Sequence, residues 1–325
     1  MLSQNRRWFC LGGAGSAALF MILGSLALGG TAVASGGSGG GSGAVSTIGK
    51  FVELWTRRPG DYASGTTWPK DHLKKFDLDA APAVNREMFD YQYGKKYFYK
   101  GVPLREVIGS YQAGPNLDTA LLHFSNNMIV PMPLDQEILG RVDALVAREV
   151  KIDNKWEKKL PSRSKPDPVY SDPRPIRFEG NKIVVEKPWH PLADKQGESG
   201  FSPWRFTSAL TGIEFVNRAA YEKQLLVDDS TSVVAGYREF LGRCTFCHSA
   251  RQIGARFGWD FVEPLPTYKQ KAPEHLLSHV KYPKWDALER GLMMPAQKDV
   301  SSGEIYLLWK WMEAVATKPA KRYSP

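Results

Sequence analysis

Cysteine is scarce in this chain. Only three cysteines occur among 325 residues, and Cys10 lies near the N-terminus, so Cys244 and Cys247 are the one pair left in the rest of the chain. This scarcity excludes a framework of several disulfides, the kind that stabilises small secreted domains.

Lysine and arginine show no clustered arm or tract, and no internal repeat is visible. We therefore expect no nucleic-acid binding.

The bulk composition is that of an ordinary globular protein. The chain is 42% hydrophobic and 24% charged, and its length favours two compact domains. The formal net charge is +9, and removal of Arg6 and Arg7 with a leader would leave two positive charges fewer. A positive charge of this size favours an acidic protein partner or an anionic membrane surface.

The N-terminal residues have the pattern of an export signal. Arg6 and Arg7 precede an uncharged stretch, residues 8–34, which ends in the A-x-A cleavage signal Ala32-Val33-Ala34. Residues 1–34 are thus predicted to be a signal peptide or, because the stretch is long enough to span a bilayer, an uncleaved membrane tether. Residues 35–45 contain the flexible linker GGSGGGSG. The expected location is the bacterial periplasm, with the protein either soluble or tethered to the inner membrane.

The middle of the chain has the residue pattern of a β-rich fold. Residues 46–81 are interpreted as a lead-in segment and residues 82–228 as a β-rich α+β domain. Short apolar runs at 119–124, 183–186 and 212–216, separated by Gly, Pro and Asn, predict strands.

Other segments of this region are predicted to be helices or loops. Residues 104–111 are predicted to be a helix, and so are residues 134–150, because apolar side chains recur there at helical spacing. Residues 159–175 are rich in Pro, Ser and Lys and are predicted to form a long exposed loop.

Residues 229–325 are predicted to be all helical. Val233, Tyr237, Phe240 and Cys244 recur every three or four residues, which places them on one face of a helix. A second helix is predicted from Pro273 to residue 280, because proline favours the first turn. A third helix begins with the capping box Ser301 and Glu304 and continues with an apolar stripe. That stripe consists of Ile305, Leu308, Trp309 and Met312.

Residues 244–248 read Cys-Thr-Phe-Cys-His, a C-x-x-C-H motif. Its spacing places two thiols under the two vinyl groups of a haem, while the adjoining imidazole reaches the iron. The motif therefore predicts one covalently attached haem c, held by Cys244 and Cys247, with His248 as the proximal iron ligand. A redox dithiol or half of a zinc site is the alternative. These sites need a preceding strand or two further ligands, whereas this motif ends a predicted helix.

The C-terminal third resembles the class I cytochrome c family, and the likeness covers residues 229–325. Gly236, Phe240 and the C-x-x-C-H motif reproduce the family's N-terminal helix pattern, and Met294-Pro295 before a capped helix reproduces its distal loop. The resemblance implies that Met294 is the distal iron ligand, with Met293 as the alternative, and a thioether ligand raises the reduction potential.

Two histidines and one helix crossing also enter the prediction. His275 and His279 are competitors for the distal position, although histidines at this spacing more commonly form a solvated pair. In the family, a glycine lets the first helix cross the last one closely, against an aromatic side chain. Gly236 and Trp309 would fill these two roles here.

Residues 82–228 resemble the sulfite-oxidase-type molybdopterin-binding fold, on residues 98–108, residues 118–124, Trp204 and residues 213–216. Catalytic members of that family bind molybdenum through a cysteine thiolate. No cysteine lies between Cys10 and Cys244, so we expect no molybdopterin and interpret this region as a docking scaffold. His123, His190 and Arg205 are interpreted as structural residues rather than pocket residues.

These observations predict a multi-domain α+β protein, with a β-rich α+β domain followed by an all-α cytochrome c domain. The expected function is that of a periplasmic mono-haem c-type cytochrome subunit, which transfers single electrons between a redox partner and an acceptor. The expected partner is a redox protein or a membrane respiratory complex with an acidic docking face. The alternative is a catalytic oxidoreductase, with a cofactor in the N-terminal domain or an open haem site that binds a small ligand.

Overall fold

The computed structural model describes residues 49–57, 70–90, 93–112, 114–135, 143–158, 181–185, 203–205, 207–283, 294 and 296–319. The strands are β1 Phe51–Thr56, β2 Asp71–Asp77, β3 Val84–Asp90, β4 Lys95–Pro103, β5 Thr119–Phe124, β6 Ile129–Pro133, β7 Ala144–Ile152, β8 Lys155–Glu157, β9 Lys182–Val185, β10 Leu210–Val216, β11 Ser249–Ala250 and β12 Ile253–Gly254. The helices are α1 Leu104–Gly109, α2 Arg218–Leu225, α3 Thr231–Glu239, α4 Thr267–Gln270, α5 Pro273–Lys281 and α6 Ser302–Thr317.

Two five-stranded sheets form the N-terminal part. The first sheet has the order β2-β1-β10-β5-β6, in which β1 and β10 pair in parallel and the other pairs are antiparallel. The second sheet has the order β3-β4-β7-β8, and β9 also pairs with β7. The segment 46–81 thus contributes two strands to the first sheet. The strands expected around residues 119–124, 183–186 and 212–216 are confirmed as β5, β9 and β10.

Alternation along the strands distributes the first sheet's residues between two cores. On β10, Ile213 and Phe215 point into a core that the two sheets share with α1, which we call the sheet core. Val216, on the opposite face, packs with the C-terminal helices in a second cluster, the helical core. The first sheet therefore lies between the second sheet and the helical part.

The helix expected over residues 134–150 is wrong in its described portion, because residues 144–152 form strand β7. Both faces of this strand are covered. Ala144 and Val146 face the sheet core, while Leu145 and Ala147 face a smaller cluster on the outer side of the second sheet. A strand buried on both faces has no apolar–polar alternation, so its apolar residues imitate helical spacing.

The C-terminal part is mainly helical, but the expectation that it is all helical is wrong, because the left-handed backbone of Arg251 and Gln252 turns the chain into the β11–β12 hairpin. The predicted helices themselves are present. The apolar face of Val233, Tyr237 and Phe240 is buried on α3, which continues as a π-helical turn, Phe240–Cys244. Proline opens α5 at Pro273, and the Ser301–Glu304 capping box opens α6. Each prediction rested on local signals that act within one helical turn, and all three are confirmed.

Helices α3 and α6 cross at Gly236. A Cβ at this position would lie 2.6 Å from the carbonyl carbon of Leu307 and 2.7 Å from Cβ of Trp311, so only glycine permits this approach. The aromatic residue at the crossing is Trp311, which is fully buried, and not Trp309 as expected. Trp309 is half-buried and donates from Nε1 to the carbonyl of Lys271, so its polar nitrogen is satisfied away from the crossing.

The observed architecture is a β-rich mixed α+β fold, with its sheets in the N-terminal part and its helices toward the C-terminus. The described residues between 49 and 319 belong to one compact unit. The predicted leader, the linker and the loop at 159–175 lie outside the described residues. Within the described ranges, no helix is long and apolar enough to cross a bilayer.

Candidate functional site

The C-x-x-C-H motif begins in the π-helical turn that ends α3. The amide of Thr245 donates to the carbonyl of Phe240 at 2.9 Å, which is the wider hydrogen bond of a π-helix. The amides of Cys247 and His248 both donate to the carbonyl of Cys244, at 3.0 and 2.8 Å. One tight turn thus brings Cys244, Cys247 and His248 together. π-helical turns of this kind occur frequently at functional sites.

Both cysteines are buried and neither forms a disulfide. Burial raises the pKa of the Cys244 thiol to about 12, so this side chain is a neutral thiol at physiological pH. The two sulfur side chains pack differently. Cys244 belongs to the helical core and Cys247 to the sheet core.

His248 is held by the loop that follows the motif. Its Nδ1 hydrogen-bonds with the backbone carbonyl of Trp259 at 2.8 Å. Because a carbonyl only accepts, Nδ1 carries the proton and Nε2 carries the lone pair. Burial lowers the pKa of His248, which favours the neutral imidazole that ligates metals.

Two neighbours restrict the orientation of the His248 ring. Phe261 stacks on it with ring centroids 4.8 Å apart. A Cβ at Gly258 would lie 2.7 Å from Nδ1 and 2.9 Å from Nε2, so glycine is required beside the imidazole. The imidazole is therefore fixed by packing as well as by its hydrogen bond.

Asp260 organises this loop. Its carboxylate accepts hydrogen bonds from the Ser249 hydroxyl and from the amides of Arg251, Gln252 and Val262, and also from that of Glu263. Arg251 and Gln252 have left-handed backbone angles, φ 52° and 62°, which form the tight turn between β11 and β12. One carboxylate thus closes the loop that carries Trp259 and Phe261.

The two residues between the cysteines contact different parts of the protein. Phe246 is fully buried in the sheet core, and its carbonyl accepts from the amide of Ile129 on β6 at 3.2 Å. Thr245 hydrogen-bonds with the side chain of Tyr221 on α2. The motif therefore lies at the junction of the β-rich and helical parts, which spacing alone could not indicate.

Of the two candidate distal methionines, Met294 is described and Met293 lies outside the described residues. Met294 is half-buried and packs against the helical core, the cluster that also contains Cys244. His275 on α5 is exposed. His279 is half-buried and lies near enough to His248 to affect its pKa.

Among the residues that the structure describes, no three His, Cys, Asp or Glu side chains converge as a metal-binding group. The described donors of the motif are of the kinds that a haem c takes. They are two thiols on one turn and a neutral imidazole whose Nδ1 is engaged by a backbone carbonyl.

A network of buried charged side chains lies in the first sheet, and no sequence pattern predicted it. Glu214 is fully buried and pairs with Arg57, with Nε–Oε1 at 2.6 Å and Nη2–Oε2 at 2.8 Å. His123 Nε2 lies 3.0 Å from the same carboxylate, and its ring packs on Trp55. His123 thus forms part of this network. The His190 and Arg205 side chains lie outside the described residues.

A surface cleft of about 800 Å³ opens beside Arg57, between β1, β2 and the segment after α1. His72 on its wall has a left-handed backbone, φ 52°, and Tyr111 donates from its hydroxyl to the His72 carbonyl at 3.2 Å. Lys74 on the same wall donates to the carbonyl of Ser110. Polar and charged side chains thus line much of this cleft.

No protein-family model matches the chain, and no curated protein matches it.

Proposed function

We propose that this protein is an exported mono-haem c-type cytochrome that transfers single electrons within a redox complex. Cys244 and Cys247 would hold the haem by thioether bonds, with His248 as the proximal and Met294 as the distal iron ligand. A haem bound here would supply one-electron exchange at its iron. The chain contributes two buried thiols on one turn and a neutral, oriented imidazole.

The observation that carries this proposal is the tautomer of His248. The hydrogen bond from Nδ1 to the Trp259 carbonyl leaves Nε2 with the lone pair that an iron ligand needs. Both thiols lie on the same turn, and neither is consumed in a disulfide. The likeness to class I cytochromes c in residues 229–325 agrees with this reading.

Expression with haem-attachment machinery tests the attachment. Wild-type protein is expected to remain coloured after denaturation in acid, with the mass of one added porphyrin, because thioether bonds survive unfolding. Cys244→Ser and Cys247→Ser should each lose one thioether bond, and the double variant should lose all covalent haem. A wild-type protein that is colourless and carries no added mass would refute the proposal.

The neighbouring methionines form a matched pair for testing the distal ligand. Met294→Ala should remove the near-infrared sulfur-to-iron charge-transfer band and lower the reduction potential, because a thioether stabilises ferrous iron. Met293→Ala should leave both unchanged. The opposite pattern would transfer the assignment to Met293, and no change in either variant would exclude methionine.

The β-rich part, which resembles the sulfite-oxidase-type fold, is proposed to be a docking module. Phe98 and Trp156 are 50% and 37% exposed. Tyr99 pairs with Val150, and both face the smaller cluster on the outer side of the second sheet. Trp156 pairs with Lys151, so both exposed aromatics lie on the other face of this sheet, the one that carries the sheet core farther along the strands. Aromatic residues with a polar surround are typical of protein interfaces. Phe98→Ser with Trp156→Ser should abolish copurification of the redox partner without reducing haem content.

The cleft beside Arg57 favours a second candidate, an oxidoreductase with a small-molecule site in its N-terminal part. This candidate predicts a bound organic cofactor or metal in the β-rich region. Metal and pterin analysis of purified protein tests it directly. One equivalent of molybdenum or pterin would support the enzyme and exclude a purely scaffolding role.

A further inference from the structure

Arg243, the residue before Cys244, joins three separate segments through its side chain. It donates to Glu239 on its own helix at 3.2 Å, to Asp299 at 2.9 Å and to Glu304 in the first turn of α6 at 3.2 Å. The Arg243 side chain is only 10% exposed. One buried guanidinium thus binds three carboxylates, which its forked geometry permits and a lysine would not reproduce.

The charge balance makes these contacts interdependent. Without the guanidinium, the carboxylates of Glu239, Asp299 and Glu304 would remain close together with only repulsion between them. Glu239 and Glu304 are largely shielded from solvent, with side chains 14% and 23% exposed, so this repulsion is only partly screened. Removal of the Arg243 charge should therefore separate the segments.

The backbone of Arg243 makes a second tie to the same region. Gln297 is buried, and its side-chain Nε2 donates to the Arg243 carbonyl at 3.4 Å. Its backbone N–H donates to the carbonyl of Val280 at 3.0 Å. Asp299 and Gln297 lie five and three residues after Met294. The segment that follows Met294 is thus attached, through a side chain and a carbonyl, to the residue that precedes Cys244.

We infer that Arg243 is a positioning residue. It holds Met294 and residues 296–300, which we call the Met294 segment, in place relative to the cysteine motif. This inference rests on the proposed function, because it assigns the tie to placing the distal ligand. Arg243 touches no reacting atom, so it acts through Asp299, Gln297 and the start of α6. Its loss should free the Met294 thioether while leaving the attachment residues intact.

The test compares Arg243→Gln and Arg243→Lys with Arg218→Gln in the full chain matured with haem. Arg218 and Glu222 form an i, i+4 ion pair on α2, like Arg243 and Glu239, but it involves no residue of the Met294 segment. Covalent haem content should be unchanged in all three variants. In Arg243→Gln, the ratio of methionine-free to methionine-bound haem should rise about tenfold, which corresponds to about 1.4 kcal/mol.

The readouts are the near-infrared sulfur-to-iron band, the reduction potential and carbon monoxide binding to the ferrous protein. Arg243→Gln should weaken the band, lower the potential and bind carbon monoxide. Arg243→Lys, which keeps the charge and should fold, should give an intermediate result, and Arg218→Gln should match the wild type. If Arg243→Gln also matches the wild type in all three measurements, the inference is overturned.

A measurement without haem separates this inference from the proposed function. Amide hydrogen exchange over residues 296–300 should be about tenfold faster in Arg243→Gln than in Arg218→Gln, because the segment has lost its ties. If the wild type is colourless but exchange accelerates in Arg243→Gln, the proposed haem attachment is refuted and the role of Arg243 in holding residues 296–300 is confirmed. If exchange is unchanged, the tie itself is refuted.

Discussion

Gly236→Ala tests the helix crossing that supports the motif. The new Cβ would lie 2.6 Å from the carbonyl carbon of Leu307, 2.7 Å from Cβ of Trp311 and closer still to the Leu307 carbonyl oxygen. These atoms belong to the α6 backbone and to the base of a fully buried side chain. They cannot rotate away, so the helices themselves must separate.

The magnitude follows from the contact distances. Carbon atoms in contact normally lie about 3.5–4.0 Å apart, so the two helices must move apart by about 1 Å. That movement disturbs the stacking of Trp311 on Phe240, whose ring centroids are 4.4 Å apart. Overpacking costs about 3 kcal/mol, while alanine gains about 1 kcal/mol over glycine in helix propensity. We expect a net loss of about 2 kcal/mol in the free energy of unfolding.

Urea unfolding followed by near-ultraviolet circular dichroism measures this loss. The matched control is Gly303→Ala in α6, where the nearest atom to the new Cβ is Ser301 Oγ at 3.9 Å. Since no crowding opposes helix propensity there, the control should be neutral or stabilising by up to about 1 kcal/mol. If Gly236→Ala is as stable as Gly303→Ala, the close crossing does not exist in solution.

Three further predictions concern other parts of the fold. Phe246→Ala removes a fully buried ring from the sheet core and should cost about 3–5 kcal/mol, measured by urea unfolding. Glu214→Gln leaves the buried guanidinium of Arg57 without its carboxylate and should cost about 3–5 kcal/mol, measured as a lower Tm. Partial burial raises the pKa of Glu304, but its capping-box hydrogen bonds and Arg243 outweigh this and hold the pKa below the ordinary value of 4.5. Its stabilisation is thus present above that value and lost as the pH falls through the lowered pKa, so Glu304→Gln should be about 1 kcal/mol less stable than wild type at pH 7, and the difference should shrink as the pH falls below 4.5.

Each of these predictions has a contradicting result. A Phe246→Ala loss below about 1 kcal/mol would mean that the motif does not insert into the sheet core. A Glu214→Gln protein as stable as the wild type would exclude a buried ion pair with Arg57. A Glu304→Gln difference that stays constant from neutral to acid pH would show that the carboxylate charge contributes nothing to the start of α6.

Local signals in the chain were sufficient for several elements. The Ser301–Glu304 box, the proline that opens α5 and the apolar face of α3 act within one or two turns, so their structural consequence follows from neighbouring residues. Strand β7 was misread for the opposite reason. Its pattern depends on what covers its two faces, and the covering residues are distant in the chain.

The sequence by itself determined that Cys244, Cys247 and His248 lie on one turn, because their spacing is a property of one short segment. The resemblance to class I cytochromes c implied that Gly236 lets α3 approach another helix closely. Only the tertiary structure decided which aromatic meets that glycine, that Phe246 enters the sheet core and that Arg57 finds Glu214 across 157 residues. The physical reason is that short-range hydrogen bonds and helical periodicity are encoded locally. Burial, by contrast, is decided by partners that only the folded chain brings together.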